Sequence, residues 1–164
     1  MTKLEVQWIV GFVDGEGCFF VGINEQPSMT TGFQVLPEFV VTQHQRDESI
    51  LYALKEYWGF GVVRKNHGDR LCYRVRGLEN LLKSIVPFFE KHSLKTKKKI
   101  DFLKFRKILK LIENHEHLTV EGLLKIESLR VEMNTGLTKP RKRLRLIENK
   151  LVFEKESIIE SSLS

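Results

Sequence analysis

The sequence contains few cysteines and no long apolar run. Its only cysteines, Cys18 and Cys72, show no CxxC spacing, so they indicate neither a zinc site nor a disulfide scaffold and fit a reducing, intracellular compartment. A run of apolar and glycine residues covers 8–13, and no such run in the chain exceeds seven residues, whereas about 20 are needed to span a bilayer. No basic segment followed by an apolar one precedes that run, as a secretory signal requires. The sequence therefore predicts no membrane partner.

The chain is also short of acidic residues. It has 21 Asp and Glu against 27 Lys and Arg, a net charge of +6, and this excess favours a polyanionic partner. The 164 residues are 41% apolar and 29% charged, which is typical of a single globular domain and excludes extensive disorder.

The N-terminal segment predicts a helix that is buried nearly all round. Thr2 and Glu5 have the spacing of a capping box, and the residues that follow, 6–13, are apolar on most sides of a helix. Two glycines at 15 and 17 are expected to end the helix by entering left-handed conformations. Gly11 and Gly15 stand four residues apart, so a second helix can approach closely along that face.

Two carboxylates, Asp14 and Glu16, come at the end of this apolar helix. An unpaired charge there is costly unless a cation, a cap or water compensates it, and hard oxygen ligands suit Mg²⁺. Hydrolysis of a phosphodiester by paired metals needs carboxylates on both sides of the scissile group, but the sequence offers one such cluster. A symmetric dimer would supply the second.

The remaining patterns predict alternating helices and strand pairs, an α+β fold. Strand candidates alternate apolar with polar residues, and helix candidates repeat apolar residues at helical spacing. After the first helix, the predicted elements are strands 18–24 and 33–43, a helix over 47–58, strands 61–66 and 70–76, a helix over 78–86 that ends at Pro87, and helices over 96–113 and 118–133. The polar connection 25–32 is long enough to reach a ligand.

The composition changes near the C-terminus. Five of the seven residues 139–145 are basic, and apolar residues within 146–153 predict an amphipathic closing helix. We therefore divide the chain into a core domain, 1–136, and a basic C-terminal extension with a helix, 137–164.

The segment Ile9–Gly17, IVGFVDGEG, resembles the signature of the LAGLIDADG homing endonucleases. Further similarity lies in Phe39–Gln43, Trp58–Gly61 and Leu94–Lys98, so that the resemblance covers about residues 3–115. It implies the αββαββα fold with a four-stranded antiparallel DNA-binding sheet, here with extra C-terminal helices. It also implies a Mg²⁺-dependent enzyme that hydrolyses both strands of a long pseudo-palindromic DNA target. Because one signature copy is present, the expected assembly is a homodimer.

The resemblance also implies roles for individual residues. Glu16 corresponds to the metal-binding acid, with the Gly15 carbonyl as a further metal ligand, and Gln43 to the polar residue that positions solvent. A lysine near the scissile phosphates corresponds to Lys97 or Lys98. A further basic residue found in some relatives falls on Asp47, beside Arg46. The expected dimer contacts are Val10, Gly11, Asp14 and Gly15.

One side of the predicted sheet carries side chains suited to reading DNA. These residues have the strand parity opposite the core or lie in the connecting loop, and Arg, Asn and Gln form bidentate contacts with guanine and adenine edges in the major groove. The candidates are Asn24, Gln26, Ser28, Gln34, Glu38, Arg64, Asn66, Arg70, Arg74 and Arg76, with the aromatic Phe20 among them. Sequence-independent phosphate contacts are expected from Lys139, Arg141, Lys142 and Arg143.

Two other functions remain open from the sequence. The same scaffold could serve an intron RNA maturase, with intron RNA as a partner, or a non-cleaving DNA-binding regulator. The presence of Glu16 and Gln43 favours cleavage but does not exclude an RNA role. Because the family is common in organelle-encoded introns, the resemblance implies a chloroplast or mitochondrial location, and otherwise a cytoplasmic one.

Overall fold

A computed structural model of the chain describes residues 2–135 and 142–155. The helices are α1 (Val6–Glu16), α2 (Glu48–Trp58), α3 (Leu78–Asn80), α4 (Val86–Lys91), α5 (Lys98–Glu113) and α6 (Val120–Arg130). The strands are β1 (Gly17–Glu25), β2 (Phe33–His44), β3 (Val62–Lys65), β4 (Arg70–Val75), β5 (Lys142–Ile147) and β6 (Lys150–Lys155). None of the described helices is long and apolar enough to cross a membrane.

The first four strands form one antiparallel sheet in the order β1-β2-β4-β3. Helices pack against one of its faces, and side chains of the opposite parity, such as that of Phe20, are exposed on the other. Side chains along β1 and β2 alternate between the two faces, and the set predicted to face the core is buried. This set includes Phe19, Val21, Phe39 and Val41. The predicted helix–hairpin–helix–hairpin–helix order and the antiparallel sheet are therefore confirmed.

Phe19 lies at the centre of the core between the sheet and the helices. The centroids of the Phe39, Phe102 and Phe105 rings lie 5.3–5.4 Å from its own. Rings at this separation attract each other beyond the gain from removing their surface from water. The cluster joins β1 and β2 to α5, and so fixes the sheet relative to the helix that begins at Lys98.

The N-terminus of α1 differs from the prediction. The helix begins at Val6, and its capping residue is Glu5, whose side chain forms no capping hydrogen bond. The capping box predicted from Thr2 and Glu5 is therefore wrong, because Glu5 occupies the N-cap position itself rather than the third helical position.

Gly17 ends α1, but not through a left-handed conformation. Its φ of −81° and ψ of 159° are those of extended backbone. The prediction that this glycine ends the helix in a left-handed conformation is therefore wrong. A Cβ at this position would lie 2.6 Å from Val13 Cγ1 and 2.9 Å from Val13 O. Glycine is needed here because the chain turns from α1 into β1 directly against the last turn of the helix.

Pro87 does not end the helix predicted over 78–86. The helical path continues from α3 through a π turn, Leu81–Ile85, into α4, and Pro87 occupies the first turn of α4. A proline at the start of a helical segment loses no required N–H bond. The wider π turn before it therefore lets the chain pass the proline.

The closing helix predicted over 146–153 is wrong: β5 and β6 form an antiparallel hairpin. Its turn residues Glu148 and Asn149 both have positive φ, 48° and 63°, as a two-residue hairpin turn with the twist of the strands requires. Leu144 pairs with Phe153, and the Phe153 ring packs 5.3 Å from that of Phe33. Packing against the loop end of β2 thus favours the strand over the helix.

Buried Glu127 attaches this hairpin to α6. Its carboxylate accepts hydrogen bonds from the Leu144 N–H at 3.2 Å and from Arg130 Nε at 2.9 Å. Arg130 also donates to Lys142 O at 3.2 Å. The helix predicted over 118–133 is present as α6, and Thr119 Oγ1 caps it by accepting from the Gly122 N–H at 3.0 Å.

Candidate active site and nucleic-acid interface

Glu16 and Gln43 lie at the same end of the sheet. Glu16 is the last residue of α1, and the next residue, Gly17, pairs with Val41 of β2. Gln43 follows Val41 by two residues on the same parity, so the strand register carries it to the end of the sheet where α1 enters β1. The Gln43 Oε1 accepts from the His44 N–H at 2.8 Å. No described residue accepts from its NH₂ group, which remains available to solvent.

Lys98 reaches the same end of α1 from the first turn of α5. Its Nζ donates to Val13 O at 2.9 Å and to Asp14 O at 3.0 Å. A cation is favoured at a helix C-terminus, where unsatisfied carbonyl groups carry partial negative charge. Burial lowers the pKa of Lys98 more than the neighbouring acidic groups raise it. The Lys98 amino group is therefore held at the end of α1, close to the residue Glu16 that follows Gly15.

The structure distinguishes Lys98 from Lys97. Lys97 is the capping residue of α5, and its side chain is exposed and forms no hydrogen bond with the rest of the described chain. Of the two candidates, only Lys98 contacts the segment that carries Glu16.

Asp14 does not join Glu16 as a potential metal ligand. Its carboxylate accepts from the Lys95 N–H at 2.8 Å, the Thr96 N–H at 3.1 Å and the Thr96 hydroxyl at 2.8 Å. Against the opposing effect of burial, these bonds hold the pKa of Asp14 below its usual value. The side chain fastens α1 to the segment before α5, and its role as a dimer contact stays a prediction.

The exposed face of α1 consists of two aromatic rings and two glycines. Trp8 is 42% exposed, and its ring stacks on Phe12 with centroids 4.7 Å apart. A Cβ at Gly11 or Gly15 would meet no atom within 4 Å. We call Trp8, Gly11, Phe12 and Gly15 the α1 face. Val10, by contrast, is 2% exposed and packs in the chain's own core, and its place in a dimer interface stays a prediction.

The sequence prediction missed Trp8 and Phe12 as surface residues because it expected the N-terminal helix to be buried nearly all round. The sequence pattern nevertheless indicated this surface, since a helix that is apolar on most sides needs packing partners on each of those sides. Within one chain, the side of α1 that carries Trp8 is left exposed.

The described residues of one chain do not bring together a cluster of side-chain metal ligands. Residues 2–135 and 142–155 contain no group of three or more His, Cys, Asp or Glu side chains that could hold a metal ion. What one chain offers at the end of α1 is the Glu16 carboxylate and nearby backbone carbonyls. These hard oxygen donors are of the kind that Mg²⁺ prefers, since that ion usually binds through one or two carboxylates and keeps several waters.

The outer face of the sheet is rich in arginine along β3 and β4. Arg64 and Arg70 are exposed, and Arg76 forms an ion pair with Glu38 of β2. Arg74 Nε is buried and has no hydrogen-bond partner within the described part of the chain. An unpartnered buried N–H is costly unless a ligand supplies an acceptor. This surface is therefore suited to an anionic or hydrogen-bonding partner.

The remaining DNA-binding candidates lie at the ends of the strands or in the extension. Asn24, Gln26 and Ser28 are exposed at the β1–β2 connection, Gln34 is half-buried at the start of β2, and Asn66 is exposed after β3. Lys142 is exposed and Arg143 half-buried on β5, while Lys139 and Arg141 lie outside the described residues. Arg46 and Asp47, near the end of β2, form an exposed ion pair at 3.4 Å.

A model of the LAGLIDADG endonuclease family matches residues 9–109, more than half of the chain. The chain belongs to this family. The match spans α1, both hairpins of the main sheet and most of α5. The fold and family expected from the IVGFVDGEG segment are thus confirmed.

Solved structures agree with this assignment. The crystal structure of the homing endonuclease I-TnaI matches with a TM-score of 0.79 and 57% identity over 83% of this chain and 92% of that chain. The I-SmaMI LAGLIDADG homing endonuclease bound to cleaved DNA matches with a TM-score of 0.79 and 40% identity, over 84% of this chain and 46% of that chain.

Curated relatives are longer proteins. A probable intron-encoded endonuclease of Neurospora crassa is 35% identical over 78% of this chain, and DNA endonuclease I-CeuI of Chlamydomonas moewusii is 26% identical over 76%. The match covers 24% of the first relative and 59% of the second. The chain thus spans about a quarter of the length of the Neurospora relative.

Proposed function

We propose that this chain is a site-specific DNA endonuclease that works as a homodimer and hydrolyses both strands of its target with Mg²⁺. The observation that carries the proposal is the meeting of Glu16, Gln43 and Lys98 at one end of the sheet whose outer face carries arginines. Hydrolysis of a phosphodiester needs an acid for metal binding, a group that orients water and a cation near the phosphate.

The α1 face supports assembly of two copies. Its glycines leave room for a second helix backbone, and its exposed Trp8 ring would lose contact with water there. A two-fold axis through this face brings the same residues of both chains together, and Glu16 follows Gly15 directly. Assembly would therefore complete the shared metal site that one chain lacks. The match to nearly the full I-TnaI chain is consistent with a functional unit of this size.

Each residue at the end of α1 has a distinct part in the proposed reaction. Glu16, with backbone carbonyl oxygens, would hold Mg²⁺, which when bound stabilises charge on the phosphate oxygens and lowers the pKa of water. Gln43 would orient the attacking water through its free NH₂ group. Lys98, held by Val13 O and Asp14 O, would keep positive charge beside the phosphate as negative charge develops.

The outer sheet face would lie in the major groove of the DNA. The strands β3 and β4 contribute three arginines to this face, Arg64, Arg70 and Arg74. Guanidinium groups form hydrogen bonds with both phosphates and guanine edges. Buried Arg74 Nε would gain its missing acceptor from DNA.

Relatives named for ND4 and cox1 introns support an organellar origin for the chain.

Cleavage of a randomised DNA library tests the proposal directly. We expect the purified chain to cut a restricted set of long sites on both strands in the presence of Mg²⁺, and we expect EDTA to stop cleavage while DNA binding persists. Binding without any cleavage would favour the non-cleaving regulator, and selective binding of intron RNA would favour the maturase.

Replacing Lys98 by Met should reduce cleavage about 100-fold, because the phosphate loses its neighbouring cation. The matched control is Lys97→Met, which removes the same charge from the adjacent exposed position and should stay within a few-fold of the wild type. Single-turnover cleavage at saturating enzyme measures both, at a temperature where both variants are folded. A larger loss in Lys97→Met would assign the role to Lys97 instead.

Replacing Lys142 and Arg143 by Gln should weaken DNA binding without changing base preference. Each lost phosphate contact reduces the dependence of log K on log salt by about 0.9, and a homodimer loses each contact twice. Binding titrations from low to moderate salt measure this slope, with Lys55→Gln on α2 as the control for a lost charge elsewhere. An unchanged slope would remove the C-terminal hairpin from the DNA interface.

A further inference from the structure

Phe20, Glu38 and Arg76 form a row across the outer face of the sheet. Phe20 pairs with Glu38 in the β1–β2 register, and Phe39 pairs with Val75, which brings Glu38 opposite Arg76. The Arg76 Nε donates to Glu38 Oε2 at 2.7 Å. The Glu38 side chain is 15% exposed and that of Arg76 is 51% exposed, so the arginine head reaches solvent while the acid lies below it.

The acid is unexpected on a surface that would meet a polyanion. A mostly buried carboxylate repels DNA phosphates and is costly to desolvate, unless it serves a neighbouring cation. Here it takes only one of the five N–H groups of the guanidinium. No described residue accepts from the two terminal NH₂ groups of Arg76, which remain free for a ligand.

This arrangement fixes which edge of Arg76 is available. Because Nε donates to Glu38, only the two terminal NH₂ groups of Arg76 can donate to a pair of acceptors in one plane. These two groups can form two parallel hydrogen bonds. Guanine presents such a pair, O6 and N7, in the major groove, whereas adenine presents a donor in place of O6. A depression of about 180 Å³ lined by Gly22, Leu36 and Arg76 opens in front of the row, so a base edge has room to approach.

A second arginine at the same depression behaves differently. Arg130 also lines it, but its guanidinium is bound to buried Glu127 and to Lys142 O. Its role is to attach the C-terminal hairpin, and Arg76 is the arginine with free donors.

We infer that Glu38 is a positioning residue that aims Arg76 at a guanine in each half of the DNA target. The inference rests on the proposed function and specifies one base that the site reads. Removing Glu38 should leave a surface with more positive charge and less selectivity, because Arg76 then adopts many orientations and contacts phosphates as readily as bases.

The test is selection of cleaved sites from a randomised library by the wild type and by Arg76→Lys, Glu38→Met and Glu38→Gln. We expect one position in each half-site to require guanine in the wild type. Arg76→Lys should reduce that preference about 5- to 150-fold. Glu38→Met should reduce the guanine preference at the same position and strengthen binding to non-specific DNA. Glu38→Gln keeps a hydrogen-bond acceptor, so its guanine preference should lie between those of the wild type and Glu38→Met.

Glu79→Gln is the matched control, since it removes the acid of another ion pair, with Lys83, away from this row, and its site profile should equal that of the wild type. Thermal unfolding identifies any variant that fails to fold. A Glu38→Met profile equal to the wild type, or changed equally at all positions, overturns the inference and leaves the proposed function intact. A wild type that selects no sites overturns the proposed function.

Discussion

Glu16→Gln should abolish cleavage while DNA binding remains measurable. The substitution replaces by a neutral amide the carboxylate at the end of α1 that is not already bonded to other described residues, as that of Asp14 is, so a Mg²⁺ ion held there would lose its charged ligand. Stabilisation of phosphate charge by a metal contributes several kcal/mol, and each 1.36 kcal/mol is a factor of ten in rate. The cleavage rate should therefore fall on the order of 10³-fold or more.

Binding and folding should change little in this variant. Glu16 is exposed and forms no ion pair or hydrogen bond with other described residues, and substitutions at such positions usually alter stability by less than about 0.5 kcal/mol. Cleavage of a target plasmid and a gel-shift titration in Ca²⁺ measure the two properties separately. Glu56→Gln, an exposed acid on α2, is the control. Cleavage by Glu16→Gln at the wild-type rate would refute the role of Glu16.

Gly11→Leu should convert the protein into a folded monomer without nuclease activity. A side chain at Gly11 has open space within one chain, and leucine favours a helix over glycine by roughly 0.8 kcal/mol. The monomer should therefore be as stable as the wild type or more so. In a two-fold interface the added leucine occurs twice and prevents close approach of the two α1 helices. We expect dimer affinity to fall more than about 100-fold.

Sedimentation velocity, thermal unfolding and plasmid cleavage check the three parts of this result. Ser49→Leu, which adds the same side chain to exposed α2, should remain dimeric and active. If the Gly11→Leu dimer dissociates at the same protein concentrations as the wild-type dimer, the two copies meet through another surface. The proposal of a shared site at Glu16 then loses its support.

Much of the sheet and its surroundings could be predicted from local patterns. Phe19, Phe39 and Val41 revealed the buried parity of β1 and β2, and Gly59 marked the end of α2 with a left-handed φ of 79°. These signals are local because alternation and helix termination depend on residues a few positions apart. The candidates Glu16, Gln43 and Lys98 could be selected because they lie in segments that resemble the family signature.

Other features depend on contacts between distant segments. The Asp14 carboxylate, for example, accepts a hydrogen bond from Thr96, which lies 82 residues away in the sequence. Val10, a predicted dimer contact, packs in the core of its own chain. The apolar pattern of 146–153 allowed a helix, and the contact of Phe153 with Phe33 favours a strand. No window of the sequence contains both partners of these contacts.

The sequence by itself determined the family, the alternation of helices and hairpins, and the acid that ends the first helix, because each depends on residue types at short spacings. Only the tertiary structure decided that Lys98 rather than Lys97 reaches that helix end, that Asp14 joins α1 to α5, and that Glu38 holds Arg76. The physical reason is that hydrogen-bond partners, burial and the space around a glycine are set by packing between segments far apart in the chain.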